Sequence, residues 1–173
     1  MRRIRYSVAM SLDGYIAGPN GEHDWITMDP ELDFAAIFGQ FDTLLVGRRT
    51  YDEMVAAGRA AMPGMTTVVF SRTLRPVDHP SVTVVSDRQY ETLIEWKARP
   101  GKDIWLFGGS TLFGSLASQG LVDTVEVTVC PVLLGGGVPL LSGAEHRIGL
   151  SLTSQRTYKS GVVALTYNVT CSA

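Results

Sequence analysis

Apolar residues along this chain fall into short blocks, and their spacing changes from block to block. Ile4, Tyr6, Val8 and Met10 alternate with other residues, and this period of two predicts a strand over 4–10. Residues 43–46, 67–70, 82–85 and 104–107 are short, mostly apolar runs, the pattern of strands buried on both faces of a parallel sheet. Helical stretches lie between them at 51–57, at 90–98 (Leu93, Ile94 and Lys97 at helical spacing) and at 110–118. Asp29-Pro30 reads as a helix start, with Asp29 as N-cap and Pro30 at the first helical position. That helix should run to about Phe38 and bury Phe34, Ile37, Phe38 and Phe41. In 124–129, Thr124, Glu126 and Thr128 alternate with Val125, Val127 and Val129. Segments 151–158 and 162–170 flank Lys159-Ser160-Gly161 and read as an antiparallel hairpin. Short buried strands interleaved with helices, then a hairpin, predict an α/β three-layer domain with a mixed sheet.

Composition narrows the possibilities. The 173 residues are 45% hydrophobic and 18% charged, with no repeat or linker, so one domain over 1–173 is expected. A net charge of −2 argues against broad binding to nucleic acid or anionic membranes, so any phosphate must be held by local arginines. Cys130 sits in an apolar strand, and it and Cys171 lack the spacing of a metal site. With no signal peptide and no apolar run long enough to span a bilayer, the expected location is the cytoplasm.

The chemistry concentrates at two turns. Gly108-Gly109 follows the apolar 104–107 and leads into the helical 110–118. Glycine lets backbone approach a ligand closely, and a helix start aims free N–H groups at it, which favours phosphate. Gly47-Arg48-Arg49-Thr50 repeats the arrangement upstream with two arginines added. Two such turns in one chain point to a ligand with more than one phosphate, such as a dinucleotide. Ser71-Arg72, just past the end of a strand, stands where such sheets bind ligands and would suit an adenosine 2′-phosphate. The glycine-rich loop 13–25, bearing Tyr15 and Trp25, reads as a lid. Gly135-Gly136-Gly137 reads as a turn near the ligand. Asp24, Asp29, Glu31 and Asp33 crowd the entry to the first helix, where acidic residues stabilise a helix start or relay a proton.

In order along the chain, Val8-Ala9, the glycine loop ending near Trp25, Leu45-Val46-Gly47-Arg48-Arg49-Thr50-Tyr51, Val68-Val69-Phe70-Ser71-Arg72 and Leu106-Phe107-Gly108-Gly109-Ser110-Thr111-Leu112-Phe113 resemble the dihydrofolate reductase superfamily. Ser11-Leu12-Asp13-Gly14, Trp25-Ile26-Thr27 and the segment 131–141 are most similar to its riboflavin branch, the C-terminal reductase domain of the bifunctional riboflavin-biosynthesis deaminase-reductase. The resemblance implies a mixed, mostly parallel eight-stranded sheet ending in the hairpin, and NADPH across its carboxyl edge. It places Ala9 and Ile16 beside the nicotinamide. It gives the pyrophosphate and adenosine side to Gly47, Arg48, Arg49 and Thr50, the 2′-phosphate region to Ser71 and Arg72, and the opposite wrap to Gly108, Gly109, Ser110, Thr111 and Leu112. It also implies a cis peptide between the paired glycines and a homodimer.

The substrate half departs from both branches. Dihydrofolate reductases carry one carboxylate in the first helix, and here Glu31 and Asp33 both fall near it; either is a candidate proton donor. The riboflavin branch has a glutamate before the paired glycines, where this chain has Phe107, and arginines in the first-helix region, where 33–40 has none. Trp25, Phe34, Phe38 and Phe107 are candidates to flank a flat substrate. Three readings stay open: a reductase of the 5-amino-6-(5-phosphoribosylamino)uracil type, a dihydrofolate (pterin) reductase, and an NADPH-binding module without turnover.

Overall fold

The structure, a computed structural model, describes residues 1–170; Cys171 lies outside them. The strands are β1 (Ile4–Ser11), β2 (Tyr15–Ala17), β3 (Phe41–Gly47), β4 (Thr66–Phe70), β5 (Thr83–Val85), β6 (Asp103–Gly108), β7 (Thr124–Cys130), β8 (Val138–Pro139), β9 (Gly149–Thr157) and β10 (Val163–Thr170). The α-helices are α1 (Phe34–Phe38), α2 (Arg48–Ala56), α3 (Gln89–Ala98) and α4 (Ser110–Ser118). An eight-stranded sheet has the order β5-β4-β3-β6-β1-β7-β10-β9, and β2 and β8 form a small second sheet. Strands β1 and β3 to β7 run parallel, while β10 lies antiparallel between β7 and β9. The mixed, mostly parallel sheet and the terminal hairpin are as the sequence led us to expect.

Alternation within the central strands divides the core between two faces. Ile4, Tyr6, Leu45, Val68, Ile104, Leu106, Val125 and Val127 pack on one face with Leu93 of α3 and Phe113, Leu116 and Ala117 of α4. Tyr6 stacks on Phe113 with ring centroids 3.9 Å apart. Leu44, Val46, Val69 and Trp105 turn to the other face and pack with Tyr51 and Met54 of α2. Gly114 in α4 passes so close to the backbone of Ser142 and Ala144 that a Cβ there would collide with it.

The first helix differs from its sequence pattern. Asp29 does not cap a helix: its carboxylate accepts the Glu31 amide at 2.8 Å and the Ser160 amide at 3.3 Å, and Pro30 opens a turn closed by Leu32 N–H to Asp29 O. The helix starts later, where Asp33 accepts the Ala36 amide at 2.9 Å. It buries none of its residues; Phe34 and Ile37 are half-buried and Phe38 remains 38% exposed. The glycine loop is not free either. Strand β2 pairs with β8, and the Asp13 carboxylate accepts the amides of Leu134 and Gly135 and the Ser11 hydroxyl. Gly137, with φ +143, comes so close to the Ala17 carbonyl that a side chain would not fit.

Hydrogen bonds from Ser160 and the Glu31 amide hold the Asp29 carboxyl below the usual range, and the residue is only 4% exposed. A carboxylate whose pKa falls on folding adds stability above its unfolded pKa of roughly 3.9, and this is lost as pH falls through the lower folded value. Asp29→Ala should therefore lower the urea midpoint at neutral pH, and the gap to the parent should shrink steadily below about pH 4. A gap that does not change with pH would contradict this.

Candidate functional site

The sheet order sets the site. Strand β6 lies between β3 and β1, so chain connections leave in opposite directions from the carboxyl ends of these strands, where open α/β sheets leave a crevice. Val46 at the end of β3 pairs with Gly108 at the end of β6. Helix α2 starts from Gly47 on one face and α4 from Gly109 on the other, and a Cβ on Gly47 would lie 3.9 Å from the Gly109 nitrogen. Neither N-cap glycine has a side chain, so the first-turn N–H groups of both helices are left to a ligand. The Gly108-Gly109 peptide is cis. Methyl groups on these glycines would sit 3.2 Å and 3.3 Å from Thr50 Oγ1, so a side chain on either would fill the cradle between the helix starts.

A cleft of ≈ 960 Å³ opens from this cradle. Of the residues singled out from the sequence, Ala9, Ile16, Gly47, Arg48, Arg49, Thr50, Arg72, Gly108, Gly109, Ser110, Thr111 and Leu112 line it, as do Phe34, Phe38 and Phe107. Trp105 adds to the apolar half; its ring lies 5.3 Å from Phe38 and 5.1 Å, edge-on, from Phe107. The apolar side of α1 thus faces the cleft rather than the core.

Four residues lie outside the lining. Ser71 is buried and spends its hydroxyl on the amides of Thr73 and Leu74. Trp25 donates its indole N–H to the Glu22 carbonyl at 3.0 Å and pins the loop. Asp33 caps α1, and Glu31 pairs with Arg156 at 3.2 Å. So the structure does not turn either carboxylate toward the cleft.

Sequence reasoning missed other lining residues: His23, Thr27, Met28, Glu53, Arg59, Met62, Gln89 and Thr128. Arg59 could have been found. Gly58 has φ +73, its N–H bonds Val55 O, and Arg59 N–H bonds Met54 O, a helix-ending motif that fixes the residue after the glycine. Nothing local marks the others.

Electrostatics follow the two halves. Arg48 reaches both carboxylate oxygens of Asp52 at 2.8 Å, and Arg49 lies 3.5 Å from Glu53, both exposed pairs that an anion can displace. Beneath the loop, the Ser11 hydroxyl and the amides of Gly135 and Leu134 hold the Asp13 carboxyl below its usual range. Among the described residues, no group of three or more His, Cys, Asp or Glu is placed to hold a metal, and no helix is long and apolar enough to cross a membrane.

This fold, with its crevice between opposed helix starts, is that of dihydrofolate reductase. Residues 2–164 match the RibD C-terminal domain, and the chain belongs to that family. It is 36% identical to the uncharacterized protein YyaP of Bacillus subtilis (strain 168), over 96% of this chain and 95% of that one. A Shewanella sp. PV-4 crystal structure, provisionally named for riboflavin biosynthesis, superposes with TM-score 0.81 at 27% identity, covering 99% of this chain and 100% of that one. Dihydrofolate reductase of Enterococcus faecalis, complexed with NADP(H), superposes with TM-score 0.70 at 18% identity, over 96% of each chain.

Gly109→Ala places a methyl group 3.3 Å from Thr50 Oγ1 in the cradle. A dinucleotide whose phosphates sit in this cradle should then bind about tenfold or more weakly, since about 1.4 kcal/mol of lost contact suffices. Calorimetric titration with NADPH measures this; unchanged affinity would show that the cradle is not the seat of the phosphates.

Proposed function

We propose that this chain is a cytoplasmic, NADPH-dependent oxidoreductase. It reduces an electron-poor C=N or C=C bond of a small heterocyclic substrate, on the pattern of a 5-amino-6-(5-phosphoribosylamino)uracil reductase. The observation that carries the reading is the pair of glycine-led helix starts, one from each face of the sheet, at the head of a cleft whose other half is apolar. Membership of the RibD C-terminal family supports it, as does the Enterococcus faecalis neighbour complexed with NADP(H).

The residues present fit the cofactor: two uncapped helix starts for a pyrophosphate, glycines where a Cβ would intrude, and arginines at the rim. When bound, NADPH supplies the hydride. The chain does the rest. First-turn N–H groups of α2 and α4, with Thr50, Ser110, Thr111 and Leu112 around them, receive the diphosphate. Arg48 and Arg49 add charge at its edge, and Arg72, which has no ion pair among the described residues, takes the 2′-phosphate. Ala9 and Ile16 border the nicotinamide. Phe34, Phe38 and Phe107 flank a planar substrate and exclude water from the transfer. Arg59, whose N–H bonds the Met54 carbonyl just past the end of α2 and which lines the cleft, meets an anionic substituent. The long, exposed edge strand β9, with Leu150 46% and Leu152 49% exposed, is the surface through which a homodimer forms.

A second reading, a nucleotide-binding module without turnover, draws on the placement of Asp33 and Glu31 away from the cleft. A panel of pyrimidines and pterins incubated with the protein and NADPH separates the two. Loss of reduced-nicotinamide absorbance with any of them supports the reductase; binding without oxidation across the panel supports the module.

Arg72→Ala should weaken NADPH about tenfold or more, consistent with about 1.5–3 kcal/mol for hydrogen bonds to a charged group, and leave NADH within about twofold. Equal losses for the two nucleotides in calorimetry would remove the 2′-phosphate from Arg72.

A further inference from the structure

Reduction of a C=N bond needs a proton as well as a hydride, and the carboxylates nearest the first helix are engaged elsewhere. Asp29 holds Ser160, Glu31 holds Arg156 and Asp33 caps α1. Of the cleft-lining side chains, His23 and Glu53 are those of types able to give up a proton readily near neutral pH. The Glu53 carboxylate is paired with Arg49 at 3.5 Å, whereas His23 has no ion pair among the described residues. We propose that His23 donates the proton to the substrate nitrogen in the reductase reaction proposed above, on which this assignment rests.

The local structure orients the ring. Residues 18–26 form a compact turn in which Gly21 N–H bonds Gly18 O, Gly18 N–H bonds Glu22 O and Ile26 N–H bonds His23 O. The Trp25 indole closes on Glu22 O. Within this frame His23 Nδ1 lies 3.3 Å from the Gly21 carbonyl oxygen. A carbonyl only accepts, so Nδ1 carries the hydrogen of that bond, and the second proton of the imidazolium sits on Nε2, free for transfer. Ile16 and Ala17, which lead into this turn, also line the cleft. The charged neighbours are Glu22 and Asp24 on the turn, with Glu22 engaged by Asn20, and Glu53 of α2 opposite Gly21 with its partner Arg49.

The step balances. The substrate carbon gains the hydride with its electron pair, the C=N π pair shifts to nitrogen, and that nitrogen takes the proton from Nε2. The neutral imidazole left behind is exposed and regains its proton from water. The coenzyme leaves oxidised and the substrate leaves reduced at that C–N bond.

The test uses the full chain and two measurements. In the first, the imidazole resonances of His23 are followed by NMR from about pH 5 to 8 with and without NADP⁺, while calorimetry records binding. The expected result is that NADP⁺ moves the His23 resonances and their titration midpoint and leaves His146 unmoved. Heat of binding with His23 unmoved overturns this proposal and leaves the cofactor reading standing; no heat of binding overturns both. In the second, His23→Gln is compared with the parent on 5-amino-6-(5-phosphoribosylamino)uracil and NADPH. A donor must be protonated, so kcat of the parent should fall as pH rises through its apparent pKa. The variant should lose that limb and about 10²-fold in kcat, with NADPH affinity within about twofold. A variant that keeps both the limb and the parent kcat would refute the role of His23.

Discussion

The pairing of Val46 with Gly108, where β3 and β6 end side by side, is the contact on which the site depends. These strands are distant in sequence, yet their adjacency brings the starts of α2 and α4 within van der Waals reach. Because the helices leave on opposite faces, their dipoles converge on one point from two directions. A single glycine-led helix start is a common feature of α/β proteins. Two that share one opening, with no capping side chain at either, point two sets of unpaired N–H groups at the same space.

The apolar residues around that opening divide their roles by face. Alternation along β3, β4 and β6 sends one set into the core beneath α4 and the other toward α2. Short α1 leaves that second face incompletely covered, and its phenylalanines, with Trp105 and Phe107, line the resulting space. The wall is therefore made from residues that a longer helix would have buried. This explains why a sequence rich in apolar residues at helical spacing produced a helix with no buried residue.

Much of this could be read in the sequence because it is local. Runs such as Thr-Val-Val-Phe before a polar turn define buried strands, and 110–118 reads as a helix with the bounds the structure gives it. The glycine turns were legible because glycine preceding a helix has few other uses. What could not be read depends on distant partners. Asp29-Pro30 carries every local sign of a helix start, but its carboxylate is claimed by Ser160, which is 131 residues away. Strand β2 exists because 138–139 lies alongside it. Ser71 looked available until the turn after β4 used its hydroxyl. His23 and Arg59 reach the cleft by the path of the loops, for which no periodicity exists.

Asp13 gives the glycine loop a property its composition conceals. By gripping the amides of Leu134 and Gly135 across a gap of more than a hundred residues, it fastens the stem of the loop to the segment that follows the neighbouring strand β7. The arc beyond β2 then adds its own internal bonds, Gly21 N–H to Gly18 O and Gly18 N–H to Glu22 O, to that fixed stem. The backbone torsions so bonded are already fixed by the fold, so a loop anchored in this way has less conformational entropy left to lose to any later contact.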